Sequence, residues 1–273
     1  MVPPPADRTK RPPRTSVWLD ADGARGRRAE GGRRAEPAER ERGALDRDRI
    51  TATSVRLLDD EGLAKFSMRR LAAELDVTAM SVYWYVDTKD DLLELAIDAV
   101  FGELELPAPD APGGDWRDDL RALAVAYRSL LVRHPWVSPL MGDFLNIGPH
   151  AMAFARCVHR IVAHTGVPPH GQTGAMSAVF QFVYGFGTIE GHFKRRCESA
   201  GMTQDEYYQQ AMATIGGRPE LARTFAEATE MMVARGGDTV EEMRERDFDF
   251  ALRLLVAGIE AMRDDPAGRR PRN

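Results

Sequence analysis

Residues 67–89, SMRRLAAELDVTAMSVYWYVDTK, hold two short helical periodicities separated by a break too small for anything but a tight turn. In the first, Leu71, Ala72 and Leu75 make one apolar face and leave Arg69 and Arg70 off it. Asp76 and Val77 end that run, and Thr78 is placed to cap a second helix whose inward residue is Val82. Ala79, Met80, Ser81, Tyr83 and Trp84 are then left facing outward. Large aromatics normally go inside, so an outward Tyr-Trp pair beside two arginines needs a reason. One reason is a helix-turn-helix that lays its second helix in the major groove of DNA. Arg69 would reach a phosphate or the O6/N7 edge of guanine, and Tyr83 and Lys89 would reach phosphates. The other reading of the same pattern is two short helices within an ordinary helical core.

The flanking sequence predicts the rest of this unit. Asp46, Ser67 and Thr78 are N-cap residue types, and each is bracketed by an apolar pair at staple spacing: Leu45 with Ile50, Phe66 with Leu71, Val77 with Val82. A first helix is expected over residues 47–61, with Ile50, Leu57 and Leu58 inward and Gly62 as its stop. A fourth is expected over 88–104, opened by Thr88, and is the physical link to the remainder.

Residues 107–115, PAPDAPGGD, form a loop or hinge. Beyond it the periodicity is helical throughout, with helices expected near 116–133, 136–141, 150–165, 171–199, 204–215, 220–234 and 239–263. Two of these are too apolar for a one-sided surface helix. In the last, Phe248, Leu252, Leu255, Ile259 and Met262 form a stripe thickened by Ala251, Leu254 and Gly258. In 171–199 the apolar residues go nearly all round, so either a large domain or a second copy of the chain must cover them. The expected fold is all-α: an N-terminal three-helix helix-turn-helix domain plus a C-terminal helical ligand-binding and dimerisation domain. The expected boundaries are a disordered basic arm at 1–44, the helix-turn-helix domain at 45–106, the helical domain at 107–265 and a disordered tail at 266–273.

No apolar run reaches the roughly 20 residues that span a bilayer, and the N-terminus lacks a signal-peptide core, so a cytoplasmic protein without membrane contact is expected. Cys157 and Cys197 are too few for a disulfide framework. The six histidines are dispersed, and no catalytic or zinc-binding spacing is present. Neither an enzyme nor a cofactor is expected. The formal net charge of −5 is divided unevenly. Residues 1–44 carry eleven Lys/Arg against seven Asp/Glu, whereas residues 46–94 carry seven against eleven. A DNA-binding unit that is acidic has few cations for phosphate, which draws attention to Arg25, Arg27, Arg28, Arg33 and Arg34 as a minor-groove or phosphate-contacting arm. The alternative is a solvated tail, in which Ser16-Val17-Trp18-Leu19 is the only apolar island.

The string LDRDRITATSVRLLDDEG...SMRRLAAELDVTAMSVYWYVDTKDDLL, within residues 45–104, resembles the DNA-binding domain of the TetR family of bacterial repressors. Its most specific part is Val82-Tyr83-Trp84-Tyr85-Val86 followed by Lys89 and Leu92-Leu93. The resemblance implies that Arg69, Ala79, Met80, Ser81, Tyr83, Trp84, Tyr85 and Lys89 face DNA. Asp76 stands where the family usually has glycine, and strain of order ~1 kcal/mol is expected there. After Leu104 the chain is similar to the tetracycline-repressor branch, down to FDFALRLLVAGIEAM, and the resemblance implies a homodimer through the 171–199 and 239–263 helices. Where tetracycline repressors place a histidine ligand to drug-bound magnesium, the resemblance puts Met141, with its partner position near Gln181. A thioether suits magnesium poorly, so no metal is expected. Tyr127, Met141, Phe144, Met152, Phe180 and Tyr184 are the expected lining for a flat, mostly apolar effector, and each of them also reads as ordinary core.

Two functions stand at this point. One is a ligand-responsive homodimeric repressor that binds a double-stranded DNA operator and is released by a small organic effector. The other is an all-helical small-molecule-binding protein or enzyme with a helix-turn-helix-like fold that does not bind DNA.

Overall fold

The computed structural model describes residues 16–19, 45–108 and 114–263. Among the described residues all regular structure is helical: α1 (Arg47–Glu61), α2 (Met68–Glu74), α3 (Ala79–Tyr83), α4 (Lys89–Phe101), α5 (Trp116–Arg133), α6 (Pro149–His164), α7 (Pro169–Ser199), α8 (Gln204–Gly216), α9 (Pro219–Glu227), α10 (Thr229–Arg235) and α11 (Val240–Ala261). The chain forms two compact units. The first takes the chain up to Ala99 together with Met141–Gly148, and the second takes Val100–Leu140 and everything from Pro149 onward. The division falls inside α4, and the Met141–Gly148 loop groups with the first unit.

In the first unit the caps act where the sequence places them. The side chains of Asp46, Ser67 and Thr78 accept from the backbone N–H of Arg49, Arg70 and Ser81, and Gly62 closes α1 at a φ of 79°. Ile50, Leu57, Leu58, Leu71, Ala72, Leu75 and Val82 form the core between these helices. Asp76 adopts the left-handed conformation expected of a glycine, with φ 56°. Thr88 and Asp91 cap each other across the first turn of α4: the Thr88 N–H donates to Asp91 and the Asp91 N–H to the Thr88 hydroxyl. α4 is buried nearly all round, and its carboxylates Asp91, Glu94 and Asp98 are buried along with Leu92, Leu93, Ala96 and Ile97.

The N-terminal expectation needs correcting at one place. Residues 16–19 are not part of a disordered arm: Ser16 and Val17 are buried and make hydrogen bonds to α4. An apolar island too short to fold alone has found a buried partner 77 residues away in sequence. The other residues of the expected arm and of the expected C-terminal tail, Arg25, Arg27, Arg28, Arg33 and Arg34 among them, lie outside the described residues.

In the second unit α5 and α7 run against each other with their backbones close. A Cβ added at Gly191 would come within 2.9 Å of the Leu131 carbonyl oxygen, and one at Gly187 within 3.0 Å of the Leu131 Cβ. Only glycine permits that approach. Arg128 on α5 is buried at this seam, with its Nε 2.8 Å from Glu190 of α7 and its Nη1 2.6 Å from Glu245 of α11. Its guanidinium lies against the rings of Phe186 and Phe248, 5.2 and 4.5 Å from their centroids, and the two rings meet edge to face 5.3 Å apart. Burial works against the charge on Arg128, but the two glutamates outweigh it and the guanidinium pKa is raised.

Two expected helices differ. Residues 136–141 form only a 3-10 turn, Ser138–Leu140, because Pro139 sits where a helix needs an N–H donor. Residues 220–234 are broken at Ala228 into α9 and α10.

Candidate functional site

The surface built by α2, the turn and α3 carries the outward residues that the sequence assigns to DNA. Met80 is 69% exposed and Trp84 71%, and Tyr83 and Tyr85 are also exposed; so much aromatic area is not expected on a surface left to water. Ala79 and Ser81 are half-buried on the same short helix, and the Ser81 hydroxyl lies 2.9 Å from that of Thr78. The two arginines divide. Arg70 is held by Glu61 at 2.7 Å and Glu74 at 3.0 Å, so it braces α2 against α1. Arg69 is exposed and makes no hydrogen bond or ion pair among the described residues, which leaves its guanidinium available. Lys89 is less free than expected. Its ammonium donates to the Phe66 carbonyl at 2.9 Å and sits 5.6 Å from the Phe66 ring centroid, tying the start of α4 to the entry of α2. Two of its three N–H donors remain for a phosphate.

In the second unit four rings gather where α5, α6 and α7 meet the last residue of α4. Phe154 is the hub, 5.5 Å from Phe101, 5.2 Å from Tyr127 and 5.6 Å from Phe180. Burial, with a smaller share from Tyr184, raises the pKa of the Tyr127 hydroxyl, which therefore stays protonated as a donor. Tyr184 donates to the Ser138 carbonyl at 2.8 Å. Of the six residues expected to line a ligand site, Tyr127 and Phe180 are in this cluster and Tyr184 is beside it. Met152 is exposed on α6 instead, and Met141 and Phe144 lie on the Met141–Gly148 loop of the first unit. Phe101 and Phe154 were missed. Phe154 could have been found, because with Cys157, Val158 and Ile161 it makes an i, i+3, i+4, i+7 stripe along α6.

Gln181, expected beside a metal position, is exposed on α7. No group of three or more His, Cys, Asp or Glu side chains among the described residues is placed to hold a metal ion. No described helix is long and apolar enough to cross a membrane.

Comparison with known proteins bears on both surfaces. Residues 50–96 match the model for bacterial regulatory proteins of the tetR family, and residues 108–263 match the tetracyclin repressor-like C-terminal domain. An HTH-type transcriptional regulator of Saccharopolyspora erythraea is 35% identical over 84% of this chain and 90% of its own length. The HTH-type transcriptional repressor DrrR1 of Streptomyces coeruleorubidus is 30% identical over 80% of this chain and 78% of its own. Among solved structures, the TetR family protein ActR of Streptomyces coelicolor in complex with actinorhodin superimposes with a TM-score of 0.64 at 26% identity, covering 82% of this chain and 100% of that one. With both halves matched in order and the helix-turn-helix surface intact, the chain belongs to the TetR family of bacterial transcriptional regulators.

Proposed function

We propose that this chain is a homodimeric repressor that occupies a double-stranded DNA operator through α2 and α3 and leaves it when a small organic effector binds the second unit. The observation that carries the reading is the exposure of Met80, Tyr83, Trp84 and Tyr85 beside an unengaged Arg69. An all-helical binding protein or enzyme without DNA affinity has no use for that surface. The setting is cytoplasmic, and no catalytic step or cofactor enters the proposal.

The effector is a flat aromatic compound, bound without a divalent metal. The ring cluster around Phe154 supports an aromatic ligand, and the structurally similar ActR is solved in complex with actinorhodin. Tyr127 would donate a hydrogen bond to a carbonyl or phenolate on such a ligand. Dimerisation uses α7 and α11. On α11, Phe250 and Leu254 are 64% and 65% exposed, and Gly258, four residues on, faces open space. Ile189 on α7 is 70% exposed. Pairing these faces would set two recognition helices about 34–36 Å apart, one turn of DNA.

The test is a titration, by fluorescence anisotropy, of duplex from the non-coding region beside the chain's own gene. Arg69→Ala is expected to weaken binding by about 1–3 kcal/mol and relax preference at one base pair if Arg69 reads guanine. Replacing Arg25, Arg27, Arg28, Arg33 and Arg34 together by alanine should act differently. It should lower affinity for all sequences alike and flatten the salt dependence by about 0.9 in slope for each phosphate left without its arginine. An unchanged slope would make the arm a solvated tail and leave α2, α3 and Lys89 to bind alone.

A further inference from the structure

Glu94 occupies a position on α4 that the helix's own pattern assigns to the core. Its neighbours Leu93, Leu95, Ala96 and Ile97 are buried, and Glu94 is itself only 5% exposed. A buried carboxylate needs donors, and the donors of Glu94 come from the N-terminal segment. The Val17 N–H donates to the Glu94 Oε2 at 2.6 Å and the Ser16 hydroxyl donates to the same oxygen at 3.1 Å. Residues 16–19 are shaped for this by a turn closed from the Leu19 N–H to the Ser16 carbonyl at 3.3 Å, and the Trp18 N–H donates to the Ser16 hydroxyl at 3.2 Å. The Trp18 ring lies 6.0 Å from the Arg47 guanidinium at the opening of α1. Val17 is buried. Glu94 Oε1 is buried and has no hydrogen-bond partner among the described residues, so the two donors from the segment carry the whole hydrogen-bonding load of this carboxylate.

We propose that residues 16–18 are a strap that clamps α4 through Glu94, so that the arginine-bearing stretch after Leu19 is linked at its N-terminal end to α4. Short charge-assisted hydrogen bonds to a desolvated carboxylate are strong enough to hold a turn with little surface of its own. The strap and the position of α4 are then linked equilibria: what draws the strap away frees α4, and what shifts α4 weakens the strap. The link to the arginines rests on the reading of that stretch as a DNA-contacting arm. The clamp itself does not, and the experiment below needs no DNA, so the two ideas fail separately.

Hydrogen exchange followed by mass spectrometry on the full chain tests the clamp. Amides of residues 17–19 should exchange at least tenfold more slowly than an unstructured peptide of the same sequence. In the Val17→Asp, Trp18→Ala double variant, which sets a second carboxylate beside Glu94, residues 92–98 should exchange at least tenfold faster. Residues 68–83 should stay within about twofold of the parent, which shows that the helix-turn-helix is intact. A synthetic peptide of residues 12–22 added to that variant should restore slow exchange at 92–98. Free-peptide exchange at 17–19 in the parent, or unchanged exchange at 92–98 in the variant, overturns the proposal. Should the double variant lose protection everywhere, Ser16→Ala alone decides. It removes the hydroxyl donor from Glu94 and leaves the Val17 N–H in place, so faster exchange confined to 92–98 upholds the clamp and unchanged exchange overturns it.

Discussion

Replacing Arg128 by alanine is expected to cost the second unit about 3–5 kcal/mol, the usual consequence of removing one partner of a buried ion pair. The guanidinium is buried against Phe186 and Phe248 and bonded to Glu190, whose side chain is only 12% exposed. Without Arg128 the Glu190 carboxylate must either stay charged in a dry seam or take up a proton, and both oppose folding. Glu245 matters less, because its side chain is 60% exposed and water compensates it. The contrast is the double variant Arg128→Met, Glu190→Leu, which removes both charges and refills the space. It should recover most of the loss, since an apolar replacement of a buried pair is often neutral. Urea unfolding of both proteins checks this, and a single variant within about 1 kcal/mol of the parent would show that the seam is wet.

A second large effect is expected at α11. Leu254→Glu places a charge in the middle of the exposed Phe250, Leu254 and Gly258 stripe. Because Leu254 is 65% exposed in the single chain, the substitution should leave the fold within about 0.5 kcal/mol of the parent. Light scattering should nonetheless give half the parent mass at micromolar concentration. Operator affinity should fall by about two orders of magnitude or more, because the second half-site then ceases to act at high effective concentration. A variant that remains dimeric, or a monomer that binds DNA as well as the parent, would sink the assignment of this face.

What was legible in the sequence was mostly local. Asp46, Ser67 and Thr78 announce helix starts because a cap is a contact over three residues, and all three are used as read. Asp76 in the left-handed region was legible for the same reason. The 3-10 turn at Ser138–Leu140 reads as a helix in the sequence, because the periodicity around it outweighs the missing N–H of Pro139. The break at Ala228 had no glycine or proline to mark it. The pairings that could not be read are those made across long stretches of chain. Ser16 and Val17 reach Glu94, and Arg128 pairs at once with α7 and α11. No periodicity encodes them, because each depends on where two distant helices are packed. For the same reason the ring cluster was only half seen: Tyr127 and Phe180 were expected together, but the hub, Phe154, comes from a third helix.

The glycine seam between α5 and α7 decides which wall of the ring cluster yields. A helix pair that meets backbone to backbone at Gly187 and Gly191 cannot roll, since turning either helix would drive a larger residue into the carbonyl of Leu131. Tyr127 and Phe180 ride on those two helices and are fixed with respect to each other. Under the proposed function, an effector that enters this cluster is expected to displace Phe154 and Phe101 rather than Tyr127 and Phe180, so that the work of admitting it falls on α6 and on the end of α4.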